Sequence, residues 1–473
     1  FIMAKKTIFI TLFIILTAVT VYSAVTPTQL AAIGGLEPIK KTDRILILAP
    51  HPDDEAIGCA GVIQEAVGKG AELKIVYLTN GDHNQVAFIV YEKRLTLRSG
   101  EFIHMGEVRR AEAIKAMQSL GVDSKSLIFL GYPDFGTFTI FKEVWQERKP
   151  YKSMLTRISR VPYKENFSFG APYKGESVLA DLDKIIREYK PNKIFVSHPA
   201  DANVDHKAFY LFLQIALRDL RGKIPQPKIY PYLVHCIAWP LPRHYHPGLG
   251  LNPPTQFLSS QINWLKFDLT PEQLTNKHKA ILCYKSQTSS SAFYLLAFAR
   301  KNELFGDYPE IELGKEDYLQ ERRSSFSGFS DMFNESKQVD WDDASNLAGG
   351  RGRVSYGILD ENLLIRIDKL QELSRRFSIQ LYIFGYSDKT PFAAMPKIRI
   401  ITRHKRFKVF AGRKMIKPEG MGLELNTQEL ILKVPLKILG EPDFILTAVK
   451  TYAGILHTDT TSFRKINIER RRE

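Results

Sequence analysis

The sequence predicts an α/β fold, a Rossmann-like, mostly parallel sheet with helices on both faces, followed by an antiparallel β-sandwich domain. Three observations carry that prediction. Short apolar runs alternate with helical patterns through the first half of the 473 residues. Two of those runs end in the same chemistry, a His-Pro turn with acidic residues, at 51–55 and 198–206. From Arg353 onward, apolar and polar residues alternate where helical periodicity ruled before.

The first run, 44–49, reads Arg-Ile-Leu-Ile-Leu-Ala and is apolar towards both faces, as a buried parallel strand is. Pro50 and Pro52 cannot continue a ladder. His51, Asp53, Asp54 and Glu55 therefore fall on the turn at the strand's carboxyl end, where open α/β sheets place their ligands. Asp53 or Asp54 also suits the start of the helix that follows, expected at 54–67. Further strands are expected at 73–79, 127–130 and 193–197, and helices at 107–120, 177–189 and 205–220. The segment 84–105 gives mixed signals and 135–175 is longer than a usual loop, and such insertions often cover a site. A strand at 228–239 leads into a proline-rich stretch, 240–254, that carries His244 and His246. A helix at 268–283 has Thr270-Pro271-Glu272 as its cap and first turn.

A neutral imidazole three residues before a carboxylate suits a divalent metal, but two ligands do not make a site. The second run, Ser197-His198-Pro199-Ala200-Asp201-Ala202-Asn203-Val204-Asp205-His206, offers the third. Together with Pro50-His51-Pro52-Asp53-Asp54-Glu55 it resembles the signatures of the PIG-L (LmbE-like) family of zinc-dependent N-deacetylases. Those signatures are an Ala-His-Pro-Asp-Asp-Glu run and a later His-Pro-x-Asp-x-x-x-Asp-His run. Thr79-Asn80-Gly81-Asp82, Arg109-x-x-Glu112, Leu130-Gly131-Tyr132-Pro133-Asp134, Ser286-Gln287 and Arg300-x-Asn302-Glu303-Leu304-Phe305 fit the same order. The resemblance spans 44–305 and departs at Pro50, where alanine is usual, and at Asn203, where many members carry histidine.

The resemblance implies Zn²⁺ on His51, Asp54 and His206, with Asp53 as general base. It implies removal of the N-acetyl group from an N-acetylglucosamine-type amino sugar in a glycan or glycoconjugate. Asn203 can donate to a developing oxyanion but cannot protonate a leaving amine. That proton then comes from His198, from Asp53 after it has gained one, or from water. Asp82, Arg109 and Asp134 are expected to contact substrate or to brace loops. An alternative from another class is an exported glycan-binding protein whose metal site is inactive.

The formal charge of +15 is spread through apolar periodicity, without a basic helix or a nucleic-acid motif. No nucleic acid is expected, and an anionic cell-envelope surface is the alternative partner. Lys5, Lys6 and the apolar run 8–21 before Ser23 read as a signal peptide over 1–23, or as an N-terminal anchor, so the protein is expected to be exported. Cys59, Cys236 and Cys283 make no disulfide framework, and Cys59 reads as a small buried thiol. The domain expectation is a deacetylase-like domain at 24–325, a linker at 326–352 and a β-sandwich accessory domain at 353–473. That last domain loosely resembles carbohydrate-binding accessory domains. Tyr382, Tyr386 and Phe392 are placed to stack on sugar rings or to fill its core, and the sandwich is expected to be dispensable for chemistry on a small substrate.

Overall fold

A computed structural model describes residues 33–93, 98–146, 148–257, 262–313, 337–340, 343–344, 353–359, 361–368, 377–403, 406–425, 430–453 and 456–469. The leader expected at 1–23 and most of the linker expected at 326–352 lie outside these residues. Among the described residues no helix is long and apolar enough to cross a membrane.

Five strands, β1 (Arg44–Ala49), β2 (Glu72–Thr79), β3 (Leu127–Tyr132), β4 (Lys193–Ser197) and β5 (Lys228–Tyr232), run parallel in the order β3-β2-β1-β4-β5. Two antiparallel strands, β6 (Asn263–Asp268) and β7 (Asn302–Asp307), extend the β5 edge in the order β5-β7-β6. The chain moves from β1 to one side and later returns to its other side with β4, which opens a crevice outside their carboxyl ends. The two His-Pro motifs follow those two strands.

The helices are α1 (Asp54–Lys69), α2 (Gln85–Glu92), α3 (Ser99–Ser119), α4 (Thr137–Glu143), α5 (Gly175–Tyr189), α6 (Val204–Asp219), α7 (Pro271–Ile281) and α8 (Lys285–Leu295). Thr270 and Gln273 form the reciprocal cap of α7, with Pro271 at its first position. Helix α3 begins eight residues before the expected 107. Gly100 and Gly106 weaken its local signal, but burial of Phe102 and Met105 supplies the stabilisation that propensity lacks.

Strand β8 (Ile311–Leu313) pairs in parallel with the C-terminal strand, Ile311 opposite Ile466, and so joins the α/β part to the rest. The remaining strands are β9 (Lys337–Asp340), β10 (Asp343–Ala344), β11 (Arg353–Leu359), β12 (Asn362–Asp368), β13 (Phe377–Tyr386), β14 (Lys397–Arg403), β15 (Arg406–Ala411), β16 (Lys414–Ile416), β17 (Gly422–Leu425), β18 (Leu430–Pro435), β19 (Phe444–Ala453), β20 (Leu456–Thr460) and β21 (Arg464–Ile468). One antiparallel sheet runs β9-β11-β12-β18-β17, and a second runs β10-β20-β19-β13-β14-β15-β16 with β21 beside β19. Within the span read as linker, β9 and β10 are therefore strands, one in each sheet.

Ile365, Ile367, Leu432 and Val434 of the first of these sheets share a core with Ile379, Leu381, Ile383, Ile398 and Ile400 of the second. The alternate residues of β13, Tyr382, Phe384 and Tyr386, face the other way. With Phe392, Phe444 and Phe463 they join the core that holds Phe138, Phe141, Trp145 and Phe212 of the α/β part. Tyr382 and Tyr386 are 5% exposed and Phe392 2%, so these rings fill a core and are not presented to sugar. Gly35–Glu473 is one compact unit, and the C-terminal sheets are a structural partner of the α/β sheet, not a tethered accessory.

Candidate metal centre

The turn after β1 is built around Asp54. Its Oδ2 accepts the backbone N–H of His51 at 2.9 Å, which folds the chain back so that His51 and the first residue of α1 point at the same space. Asp53 between them takes φ of 126°, a left-handed conformation that costs of order 1–3 kcal/mol and is held by its surroundings. The Pro50 carbonyl at the start of the turn accepts both Thr79 N (3.0 Å) and Thr79 Oγ1 (3.1 Å), which pins it to the end of β2.

Asp54 Oδ2 lies 3.1 Å from His51 Nδ1 and 3.1 Å from His206 Nε2. Four bonds of 2.0–2.1 Å around a tetrahedral zinc separate neighbouring ligand atoms by about 3.3 Å, close to this spacing. Both His206 nitrogens are buried without a hydrogen bond of acceptable geometry, although each lies near a carboxylate. The donor set and these orphaned nitrogens fit a divalent metal at His51, Asp54 and His206.

Each histidine is backed by carboxylate on its far side. His51 Nε2 faces Asp134 Oδ1 at 3.2 Å and Asp205 Oδ2 at 3.4 Å, and His206 Nδ1 faces Asp201 Oδ2 at 3.1 Å. Such partners place the proton on the outer nitrogen and leave the inner lone pair for a cation. The backing is itself anchored. Asp205 accepts from Phe135 N (2.6 Å), Thr137 N (3.2 Å) and the Thr137 hydroxyl. Asp201 accepts from Asn203 N, Val234 N and His235 N at 2.8–3.0 Å. Burial opposes charge on His206, but Asp201 and Asp54 lift its pKa to about 9. Burial likewise opposes charge on His51, and the carboxylates of Asp134, Asp205 and Asp54 hold it well above its usual range. Asp54 is driven well down by His206 and His51 against burial.

Asp53 stands beside this group. Burial raises its pKa to about 7, against the pull of Arg109, whose Nη2 lies 3.2 Å from Asp53 Oδ2. The three residues expected at substrate or as braces are engaged with the protein itself. Arg109 donates to Gly81 O (3.0 Å) and Pro52 O (2.8 Å) besides meeting Asp53. Gly81, at φ of 69°, leaves that room, since a Cβ there would sit 2.0 Å from Arg109 Nη1. Asp82 accepts from Tyr163 OH (2.8 Å) and Asp134 N (3.4 Å), and Asp134 accepts from His83 N (3.0 Å). All three are 2–3% exposed, so bracing is the role that the geometry supports.

The structure does not bring His198 to this group as a proton donor. Its ring is fully buried and stacked on Trp264 at 5.7 Å and 13°, its Nδ1 accepts Ala200 N at 3.1 Å, and burial lowers its pKa to about 3, so it stays a neutral imidazole and not an imidazolium acid. Asn203 caps α6, its side-chain oxygen accepting Asp205 N at 2.8 Å. His244 and His246 stand apart from the cluster, His246 Nε2 donating to Arg243 O at 2.8 Å and the His244 ring lying 6.2 Å from Phe293.

Several later motif residues act as struts. Glu112 accepts Ser286 N (2.8 Å) and Ser286 Oγ (2.6 Å), tying α3 to α8. Glu303 accepts Gly61 N (2.8 Å) and Lys277 Nζ (2.7 Å) in a fully buried pair. Glu55 accepts Asp53 N at 3.1 Å and the Tyr284 hydroxyl, with burial raising its pKa to about 8. Cys59, Cys236 and Cys283 are free thiols. His235, which the sequence does not single out, lies with His51, Asp54 and His206 in one cluster whose ligand atoms are within 4.8 Å of one another.

Fold and site define an open α/β domain with a His/Asp/His metal centre at its topological switch point. Residues 46–217 match the family model PIG-L: GlcNAc-PI de-N-acetylase, and the chain carries a domain of that family. A 1D-myo-inositol 2-acetamido-2-deoxy-alpha-D-glucopyranoside deacetylase of Mycobacterium sp. (strain KMS) is 33% identical over 108 residues, covering 22% of this chain and 33% of the relative. One of the same description from Nocardioides sp. (strain ATCC BAA-499 / JS614) is 31% identical over 104 residues, 22% of this chain and 32% of the relative. The chain thus spans about a third of the length of the curated relatives it matches. Among solved structures, N,N'-diacetylchitobiose deacetylase from Pyrococcus horikoshii aligns at 20% identity and a TM-score of 0.32, over 53% of this chain and 72% of that one. The A40926 pseudoaglycone deacetylase Dbv21 aligns at 16% identity and a TM-score of 0.35, over 56% and 96%.

Proposed function

We propose that the protein is a zinc-dependent hydrolase that removes the N-acetyl group from an N-acetylglucosamine-type amino sugar in a glycan or glycoconjugate. The observation that carries this reading is the convergence of His51, Asp54 and His206 with the carboxylate of Asp53 beside them. The names of the relatives, which specify a 2-acetamido sugar joined to inositol, support the amino-sugar part. The basic and apolar stretch of Lys5, Lys6 and residues 8–21 supports export, and the charge of +15 supports anionic surroundings.

A bound divalent ion would polarise the acetamide carbonyl and lower the pKa of water to ~7. The chain's own groups supply the rest. Asp53 takes the proton of the attacking water, and with its pKa near 7 in the metal-free protein it is matched to neutral pH. A cation alongside pulls that value down, as Arg109 does. Arg109 fixes the orientation of the base, and Asp201, Asp134 and Asp205 hold the two histidines in one tautomer. The oxygen of water ends on the acetyl carbon, the C–N bond breaks, and the amine leaves with the proton that Asp53 had received. The glycan-binding alternative loses its named contacts, because Tyr382, Tyr386 and Phe392 are buried.

The test is acetate release from a panel of N-acetylglucosamine conjugates, with and without chelator. Asp53→Asn is expected to abolish release while metal content is retained. Absence of chelator-sensitive release from every conjugate would overturn the reading.

A further inference from the structure

His235 brings a fourth side chain to the metal centre from a strand that neither His-Pro motif occupies. One of its ring nitrogens lies within 4.8 Å of the ligand atoms of His51, Asp54 and His206. The backbone runs on from β5 through Leu233 and Val234, and Asp201 Oδ2 accepts Val234 N at 3.0 Å and His235 N at 2.8 Å. That same oxygen lies 3.1 Å from His206 Nδ1, so one carboxylate sets the ligand histidine and His235 relative to each other.

The ring is held from two further sides. It stands edge-on to His206 with centroids 4.7 Å apart, and it lies parallel to Tyr294 at 6.0 Å and 12°. Tyr294 is itself fixed, its hydroxyl donating to Val234 O at 2.5 Å. Neither ring nitrogen of His235 has a hydrogen-bond partner among the described residues, whereas the outer nitrogens of His51 and His206 both face carboxylate. Its half-buried ring is therefore open to a cation held between its neighbours.

We propose that His235 is a fourth protein ligand of this metal centre, completing a set of three histidines and one aspartate. The proposal rests on the metal-centre reading given above. A spacing of up to 4.8 Å exceeds the ~3.3 Å expected between neighbouring ligands on zinc, so the ring closes by on the order of 1 Å when the ion binds. With its backbone fixed by Asp201 Oδ2 and by Ala202 N on His235 O, turning of the half-buried ring about its side-chain bonds supplies that movement. Zinc reaches five-coordination in some catalytic sites, which leaves room for a substrate oxygen beside four protein ligands.

The experiment compares the parent with His235→Ala, His235→Gln and His51→Ala in the full-length protein, loaded with Zn²⁺ or Co²⁺. Affinity is read by competition with a chromophoric chelator, and coordination number by the intensity of the visible Co²⁺ bands, which are strong for four-coordinate and weak for six-coordinate ions. Loss of at least ~10-fold in Zn²⁺ affinity in both His235 variants is expected, the lower end of what even an outer partner costs. Weaker Co²⁺ bands are expected with it. Unchanged Co²⁺ bands would overturn the proposal whatever the affinity, because a residue acting from outside the coordination sphere alters affinity alone. Unchanged affinity would overturn it too. If His51→Ala still strips the metal in either case, the metal centre stands without His235; if His51→Ala keeps full occupancy, the metal-centre reading itself fails.

Discussion

Replacing Phe141 by alanine is expected to destabilise both halves of the chain at once. The Phe141 ring is fully buried, 4.9 Å from Phe212 on the α/β side and 5.3 and 5.5 Å from Phe384 and Phe392 on the C-terminal side. Truncating a core phenylalanine costs ~3–5 kcal/mol, the transfer of the ring plus the cavity left behind. Stability of a folded domain is ~5–15 kcal/mol, so the change removes a large share of it. Urea unfolding followed by tryptophan fluorescence reads the loss, since Trp145 stands 6.1 Å from Phe141 in the same core. Phe169→Ala, at a ring 55% exposed, serves as the control and is expected to stay within ~0.5 kcal/mol. A chain cut near Ser327 is expected to lose its fold or aggregate, because Phe138, Phe141 and Trp145 are then uncovered. A cost under ~1 kcal/mol for Phe141→Ala, or a truncated chain with the parent's urea midpoint, would refute the reasoning.

Asp201→Asn removes the charge facing His206 Nδ1 and is expected to weaken metal binding by ~10–100-fold in chelator competition with the fold unchanged; full affinity would show that contact to be idle. Burial holds the His198 pKa at about 3 against an ordinary 6.5, so the unfolded chain takes up a proton that the fold refuses. Its contribution to stability is therefore complete above pH 6.5 and lost as pH falls towards 3, and His198→Phe, which keeps a ring against Trp264, is expected to flatten that acid-side decline in urea midpoints measured across the range.

The metal centre is legible in the sequence because two independent signals coincide there. A buried apolar run marks a parallel strand, and a His-Pro pair marks its carboxyl end, so the turns that carry His51 and His206 fall at one crevice on sequence grounds alone. Arg109 shows the limit of that reading. A buried guanidinium among acidic residues serves a substrate or a brace with the same residue types, and it is the bonds to the Gly81 and Pro52 carbonyls that support the brace. His235 is hidden for another reason. The sequence reads 228–239 as one strand, whereas the ladder stops at Tyr232, and nothing in Leu233-Val234-His235 marks where pairing ends. Histidine just past a strand end is the signal that could have found it.

The packing of the C-terminal sheets was also within reach of the sequence. Residues 379–386 read Ile-Gln-Leu-Tyr-Ile-Phe-Gly-Tyr, with aliphatics on one alternation and mostly aromatics on the other. A strand with one solvated face puts polar residues there; one that is apolar on both faces is buried between two layers. The second layer here is α4, and it reaches the metal centre by a short path. Phe138 is wedged between Tyr382 and Phe463 at 5.9 and 5.8 Å. The residue before it, Thr137, donates its N–H and hydroxyl to Asp205 Oδ1. The other oxygen of Asp205 lies 3.4 Å from His51 Nε2. The C-terminal sheets thus press on the helix that holds the carboxylate that orients a ligand histidine, so they contribute to the rigidity of the site without contributing an atom to it.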